Sequence, residues 1–129
     1  MANTTGYNDA FGIDALKSVT TGNSNAAFGY ASLRLTTGNS NSGMGFGTLT
    51  ANTSGQFNTA VGKDALAANT TASNNTAVGY QAGYSNTTGA DNVAIGAGAL
   101  YANTTGLANT ALGAGTVNAA TTGSYNVML

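Results

Sequence analysis

Asn58-Thr59-Ala60-Val61-Gly62-Lys63-Asp64-Ala65-Leu66-Ala67-Ala68-Asn69-Thr70-Thr71-Ala72-Ser73-Asn74 is one period of a pattern that runs through the whole chain. The consensus unit is N-T-A-V-G-x-x-A-L-x-x-N-T-T-G-x-x. Its opening Asn recurs without exception, at Asn8, Asn25, Asn41, Asn58, Asn75, Asn92, Asn109 and Asn126. The Gly of Thr-Thr-Gly, or its equivalent, falls at Gly6, Gly22, Gly38, Gly55, Ala72, Gly89, Gly106 and Gly123, at spacings of 16 or 17. The two short spacings each omit one loop residue, expected between Gly6 and Asn8 and between Leu33 and Thr36. Omissions confined to loops are what a repeated strand unit tolerates.

Internal repetition settles the architecture before local propensity does. Seventeen residues are too few for a helical-hairpin repeat, and no unit shows helical periodicity. Thr59-Ala60-Val61 reads as a short strand, with Thr59 and Val61 on one face and Ala60 on the other. Gly62 then permits a bend. Asn69-Thr70-Thr71 precedes a second bend. Each unit is therefore expected to be one coil of a parallel β-solenoid, with two short strands and two turns. The chain is all-β, a single repeat domain over 1–129, with about seven and a half coils. At a spacing of about 4.8 Å it makes a rod roughly 36 Å long.

Stacking explains why residue types recur by column. Equivalent residues lie one above another, so Asn amides can hydrogen-bond along the stack and one Asn calls for the next. Stacked like charges would repel, and charge is scarce: Lys17, Arg34 and Lys63 against Asp9, Asp14, Asp64 and Asp91, for a net −1. Two columns are large and apolar. The first is Phe11, Phe28, Met44, Val61, Val78, Ile95, Leu112 and Leu129; the second is Leu16, Leu33, Leu49, Leu66, Gly83, Leu100 and Val117. Both are expected to form the core. Small residues precede the first column, from Ala10 and Ala27 to Ala111.

Composition removes most chemistry. Ala (24), Thr (21), Gly (19) and Asn (17) fill most of the 129 positions, and His, Cys, Trp, Pro and Glu are absent. Without His or Cys there is no imidazole or thiolate metal site and no Ser–His or Cys–His dyad. Three basic residues cannot neutralise the phosphates of a nucleic-acid site. No apolar run is long enough to span a membrane. The start, Met1-Ala2-Asn3-Thr4-Thr5-Gly6, has no signal-peptide pattern. Carboxylate pairs for glycoside hydrolysis must lie about 5–9.5 Å apart. Of the four Asp, only Asp9 and Asp14 share a coil, with Lys17 nearby. Calcium-binding solenoids need periodic Asp, which is missing. The expectation is a chain that is no enzyme and carries no cofactor or metal.

Two features point elsewhere. Tyr7, Phe57, Tyr84, Tyr101 and Tyr125 sit at variable positions, where exposed rings can stack on the sugars of a host glycan; the alternative is packing along the stack or between chains. The threonines, among them Thr4, Thr5, Thr70, Thr71, Thr87, Thr88 and Thr121, raise an ice-binding β-solenoid as a rival. Ice-binding faces present Thr-x-Thr on a straight strand, whereas these threonines are adjacent and lie at a bend.

At Asn75-Thr76-Ala77-Val78-Gly79-Tyr80-Gln81-Ala82 and Asn92-Val93-Ala94-Ile95-Gly96-Ala97-Gly98-Ala99 the chain resembles the head repeats of trimeric autotransporter (YadA-like) adhesins. It is also similar to N-T-A-V-G-Y-x-A arrays of bacteriophage tail fibres. The resemblance covers nearly every unit. It implies a left-handed β-roll, three chains side by side, and a surface-attachment role with a host receptor or glycan as partner. The period is longer than in the autotransporter heads, and no neck, stalk or anchor accompanies it. A tail fibre on the virion surface is therefore expected first, and a bacterial cell-surface adhesin second. Few large apolar residues serve the length of chain, which favours burial between chains. Unblunted ends favour head-to-tail stacking or flanking fibre segments.

Overall fold

In the computed structural model residues 6–116 and 122–129 are described. They contain eight short strands and no helix: β1 (Asp9–Phe11), β2 (Ala26–Phe28), β3 (Ser42–Met44), β4 (Thr59–Val61), β5 (Thr76–Val78), β6 (Val93–Ile95), β7 (Thr110–Leu112) and β8 (Val127–Met128). Each strand pairs in parallel with the next, in chain order. The register puts Ala60 beside Ala77 and Val61 beside Val78, one period apart. The protein is a parallel β-solenoid. Val117, Thr4, Thr5 and Thr121 lie outside the described residues.

Each coil has one strand, not two. The return side is built from tight corners, with three residues per coil at positive φ beyond the bend glycine. In the unit from Asn58 these are Asp64 (φ 58°), Leu66 (φ 50°) and Asn74 (φ 62°). A left-handed residue costs an L-amino acid about 1–2 kcal/mol. Burying a leucine returns roughly 1.5–3 kcal/mol. That balance keeps Leu16, Leu33, Leu49, Leu66 and Leu100 at a corner where a Gly would fit without strain: all five are buried. Their backbones still pair coil to coil, as in Leu66 N–H to Ala82 C=O at 3.0 Å.

The interior reverses half of the expected core. The first apolar column points outward. Phe11 is 75% exposed and Met44 56%, and Phe28, Val78, Ile95 and Leu112 are exposed as well, while Val61 is half-buried. The small column points in: Ala27, Ala60, Ala77 and Ala111 have no accessible surface. Strand alternation separates the two columns but does not say which is inside. Coil width decides it. The strand lies against the return corners, with Ala65, Leu66 and their equivalents already between them, so the inward strand position is left room for a methyl, as at Ala60 and Ala77.

Two asparagine ladders line the same interior. In the expected one, the side-chain carbonyl accepts the backbone N–H of the next Asn: Asn75 N to Asn58 Oδ1 at 3.0 Å, Asn92 N to Asn75 Oδ1 at 2.9 Å. The amide Nδ2 donates to the carbonyl that closes the coil's other corner, from Asn75 to Gly89 at 2.9 Å. These bonds run mainly from side chain to backbone, where amide-to-amide stacking was expected. The second ladder is amide to amide: Asn69 Nδ2 to Asn52 Oδ1 (2.9 Å), Asn86 to Asn69 (3.0 Å) and Asn103 to Asn86 (3.1 Å). Its members also donate to the corner carbonyl, so Gly89 O accepts from both Asn75 and Asn86. Thr36 stands in this second ladder, its Oγ1 accepting from Asn52 at 3.0 Å. Thr37 Oγ1 then bonds Thr53 O as Thr53 Oγ1 bonds Thr70 O. The residue missing from that coil is thus omitted after Thr37, not between Leu33 and Thr36.

Two sites probe this interior. Asn75→Ala strands the buried N–H of Asn92, whereas Asn58 Oδ1 keeps its donor in the residue-75 backbone. The expected cost is about 1–3 kcal/mol, against under about 0.5 kcal/mol for exposed Thr71→Ala; equal shifts in a denaturation titration would refute the ladder. Gly43 replaces the inward Ala where Ser32 and Thr48 replace the alanines facing it. The two hydroxyls bond each other at 2.8 Å. A Cβ at residue 43 would meet them at 2.5 and 2.8 Å. Gly43→Ala is therefore expected to destabilise by about 1–3 kcal/mol, and adding Ser32→Ala and Thr48→Ala should restore stability.

Candidate functional site

The solenoid presents two surfaces that its own interior does not explain. The first is the outer face of the strands. Phe11, Phe28, Met44, Val61, Val78, Ile95 and Leu112 are in register from β1 to β7, so one apolar stripe runs along the rod. Beside it a groove of about 230 Å³ opens over β2–β4, lined by Phe28, Ser42, Met44, Thr59 and Val61. Its lining is almost wholly apolar, and the residues between the large ones are short.

The second surface lies beyond the Gly bend. At Gly62 (φ 116°) a Cβ would stand 2.6 Å from the carbonyl oxygen of Gly79 in the next coil, so the bend admits no side chain. The residue after the bend then points out, giving Tyr30, Phe46, Lys63 and Tyr80 in successive coils. Tyr30 and Phe46 stack with centroids 5.0 Å apart. Lys63 Nζ lies 5.7 Å from the ring centroids of both Phe46 and Tyr80. Its ammonium also meets Asp64 Oδ2 at 3.5 Å. The residue after the leucine column forms a neighbouring row of Arg34, Thr50, Ala67, Tyr84 and Tyr101. Tyr84 and Tyr101 stack at 5.2 Å with their planes 5° apart. Between these rows is a groove of about 390 Å³.

The aromatic residues singled out from sequence therefore divide. Tyr84 and Tyr101 are half-buried and pair with each other. Tyr7, Phe57 and Tyr125 are exposed, and Phe57 and Tyr125 occupy the corner before the Asn ladder, away from the groove. Sequence reasoning missed the grouping of Tyr30, Phe46 and Lys63 with Arg34 and Asp64. The available signal was columnar: each follows Gly62, Leu66 or their equivalents at a fixed offset.

Asp14 pairs with Lys17 at 3.0 Å. Among the described residues no three His, Cys, Asp or Glu side chains group as a metal site, and no helix is long and apolar enough to cross a membrane. The hydroxyls of Thr37, Thr53, Thr70 and Thr87 each donate to a carbonyl of the next coil at 3.0 Å; these threonines act as ladder members. A scan against protein-family models, a search of curated proteins and a search of solved structures each return no match.

The Tyr30–Phe46 stack should be measurable by itself. A double-mutant cycle with both residues changed to Ala is expected to give a coupling of about 0.5–1.5 kcal/mol, with none between Tyr7 and Phe57. A Tyr30–Phe46 coupling of zero would mean that the rings are neighbours without attraction.

Proposed function

We propose that this chain is a non-catalytic rod or head segment of a homotrimeric attachment fibre, on a virion surface as a tail-fibre element. The observation that carries the reading is the outward apolar stripe from Phe11 to Leu112. The stripe is not needed to fill the coil, since Ala60, Ala77 and their equivalents already do so. A continuous exposed apolar surface of this kind marks a protein contact. Identical chains set side by side would bury it along its full length. The short Ser42 and Thr59 side chains and the groove at Met44 give a neighbouring chain's stripe a place to sit. The number three and the attachment role come from the resemblance of the repeats to adhesin heads and phage fibre arrays. Among the described residues the two outer strands, β1 and β8, each pair on one side alone, and further copies or flanking fibre segments would cover the other.

A bacterial cell-surface adhesin is the second setting, and the same stripe serves it. Ice binding is less favoured, because Thr37, Thr53, Thr70 and Thr87 point their hydroxyl protons at backbone carbonyls of the next coil.

Light scattering is expected to give about three times the chain mass of 12.6 kDa. Val78→Glu with Ile95→Glu leaves the inward residues of β5 and β6 unchanged and sets charges in the stripe. That variant is expected to lose the three-chain mass. A folded wild-type monomer at micromolar concentration, or a variant that still assembles, would overturn the proposal.

A further inference from the structure

We infer that the groove between Arg34 and Tyr84 binds an acidic saccharide, a carboxylate-bearing pyranose on the surface to which the fibre attaches. The inference rests on the fibre reading and names the ligand of that fibre. The groove exists because its rows change size locally. Gly47, Thr50 and Ala67 are small, while Arg34 closes one end and Tyr84 the other. Arg34 and Tyr84 are three coils apart, about 14 Å at the coil spacing. Tyr30 and Phe46 wall one side. The volume of about 390 Å³ lies in the range of small-molecule sites, and the mixture of ring faces with a few convergent polar groups is how such sites are built.

The charges specify the ligand further. Lys17 and Lys63 each lie against an aspartate, at 3.0 and 3.5 Å. Arg34 has no such partner among the described residues, and its Nε is buried with no acceptor. The residue as a whole is only half-buried and lines the groove, so an arriving acceptor meets the outer guanidinium nitrogens in a charge-assisted bond. A guanidinium presents a planar fork that matches a carboxylate. With Lys63 and Asp64 alongside, the groove carries net positive charge in a chain of net −1. A sugar acid supplies what these groups lack. Its carboxylate meets Arg34, its ring lies on an aromatic face, and its hydroxyls reach the Asp64 carboxylate. The groove lies beyond the Gly bend from the stripe, so chain association and saccharide binding use different columns.

The test titrates the assembled full-length protein by calorimetry with two acidic probes, trigalacturonate and 3′-sialyllactose. Their neutral counterparts are maltotriose and lactose. At least one acid is expected to bind, about tenfold or more tighter than its counterpart, the scale of one charge-assisted hydrogen bond; which acid binds separates a uronic from a sialic source. Arg34→Gln should weaken binding by a similar factor. Ala67→Tyr fills the groove with a side chain that its row already accepts at Tyr84 and Tyr101, and should abolish binding while preserving the fold. Tyr125→Ala should leave binding unchanged. The inference is overturned if neither acid binds, if neutral and acidic probes bind alike, if Ala67→Tyr binds as the wild type does, or if a neighbouring chain proves to occupy the groove. A trimer that binds no acid refutes this inference alone. A monomer that binds acid through Arg34 refutes the assembly reading alone.

Discussion

In four consecutive coils one backbone carbonyl holds the solenoid's two sides together. At Gly55, Ala72, Gly89 and Gly106 that oxygen accepts from an asparagine of each ladder. The first ladder fixes the corner before the strand, and the second fixes the corner after the leucine. Because both converge on one atom, neither corner can shift without the other. This matters in so narrow a coil, where methyl groups and a single leucine per coil do most of the apolar packing. Buried amides that were only partly satisfied would cost more than the alanines return. Satisfied, they set both the diameter and the register.

Side-chain size then sorts inside from outside. A conventional sheet hides its large residues and shows its small ones. Here the gap between strand and return corners admits Ala60 and Ala77, and the larger neighbours Val61 and Val78 face out. The leucine column stays inside because it sits on a corner, where its side chain can run along the gap. The result is a chain whose own interior is complete and whose surface is still unfinished. Gly43 shows how closely the gap is filled: where Ser32 and Thr48 bring in hydroxyl groups, even the methyl is given up.

The solenoid, its period and the Asn column were legible in the sequence because stacking forces identity at every seventeenth residue. The inward direction was not, since Thr59-Ala60-Val61 alternates equally well with either face buried. The left-handed corners were also hidden. Leu66 has no propensity for positive φ, and only its burial keeps it there. The second ladder was written plainly in Asn52, Asn69, Asn86 and Asn103, but N-T-T reads as a turn until the carbonyl that joins the ladders is seen. Thr36 obscured it further, by doing an asparagine's work under another name. The candidate groove could not be read from any one unit. It depends on what stands in neighbouring rows across three coils, and on the unusual smallness of Gly47, Thr50 and Ala67.

The ladder bonds that end on an asparagine Oδ1 run from one coil to the next along the rod. Tension applied at the two ends is therefore shared in parallel by the bonds of each coil-to-coil interface, and is passed from interface to interface in series. Adding coils lengthens the reach of such a rod without strengthening it. Its resistance to pulling is that of its weakest interface. Among the described interfaces the first lacks a second-ladder bond, because Val19 holds the place that Thr36 and Asn52 take in the next two coils, and that is where a mechanical failure would begin.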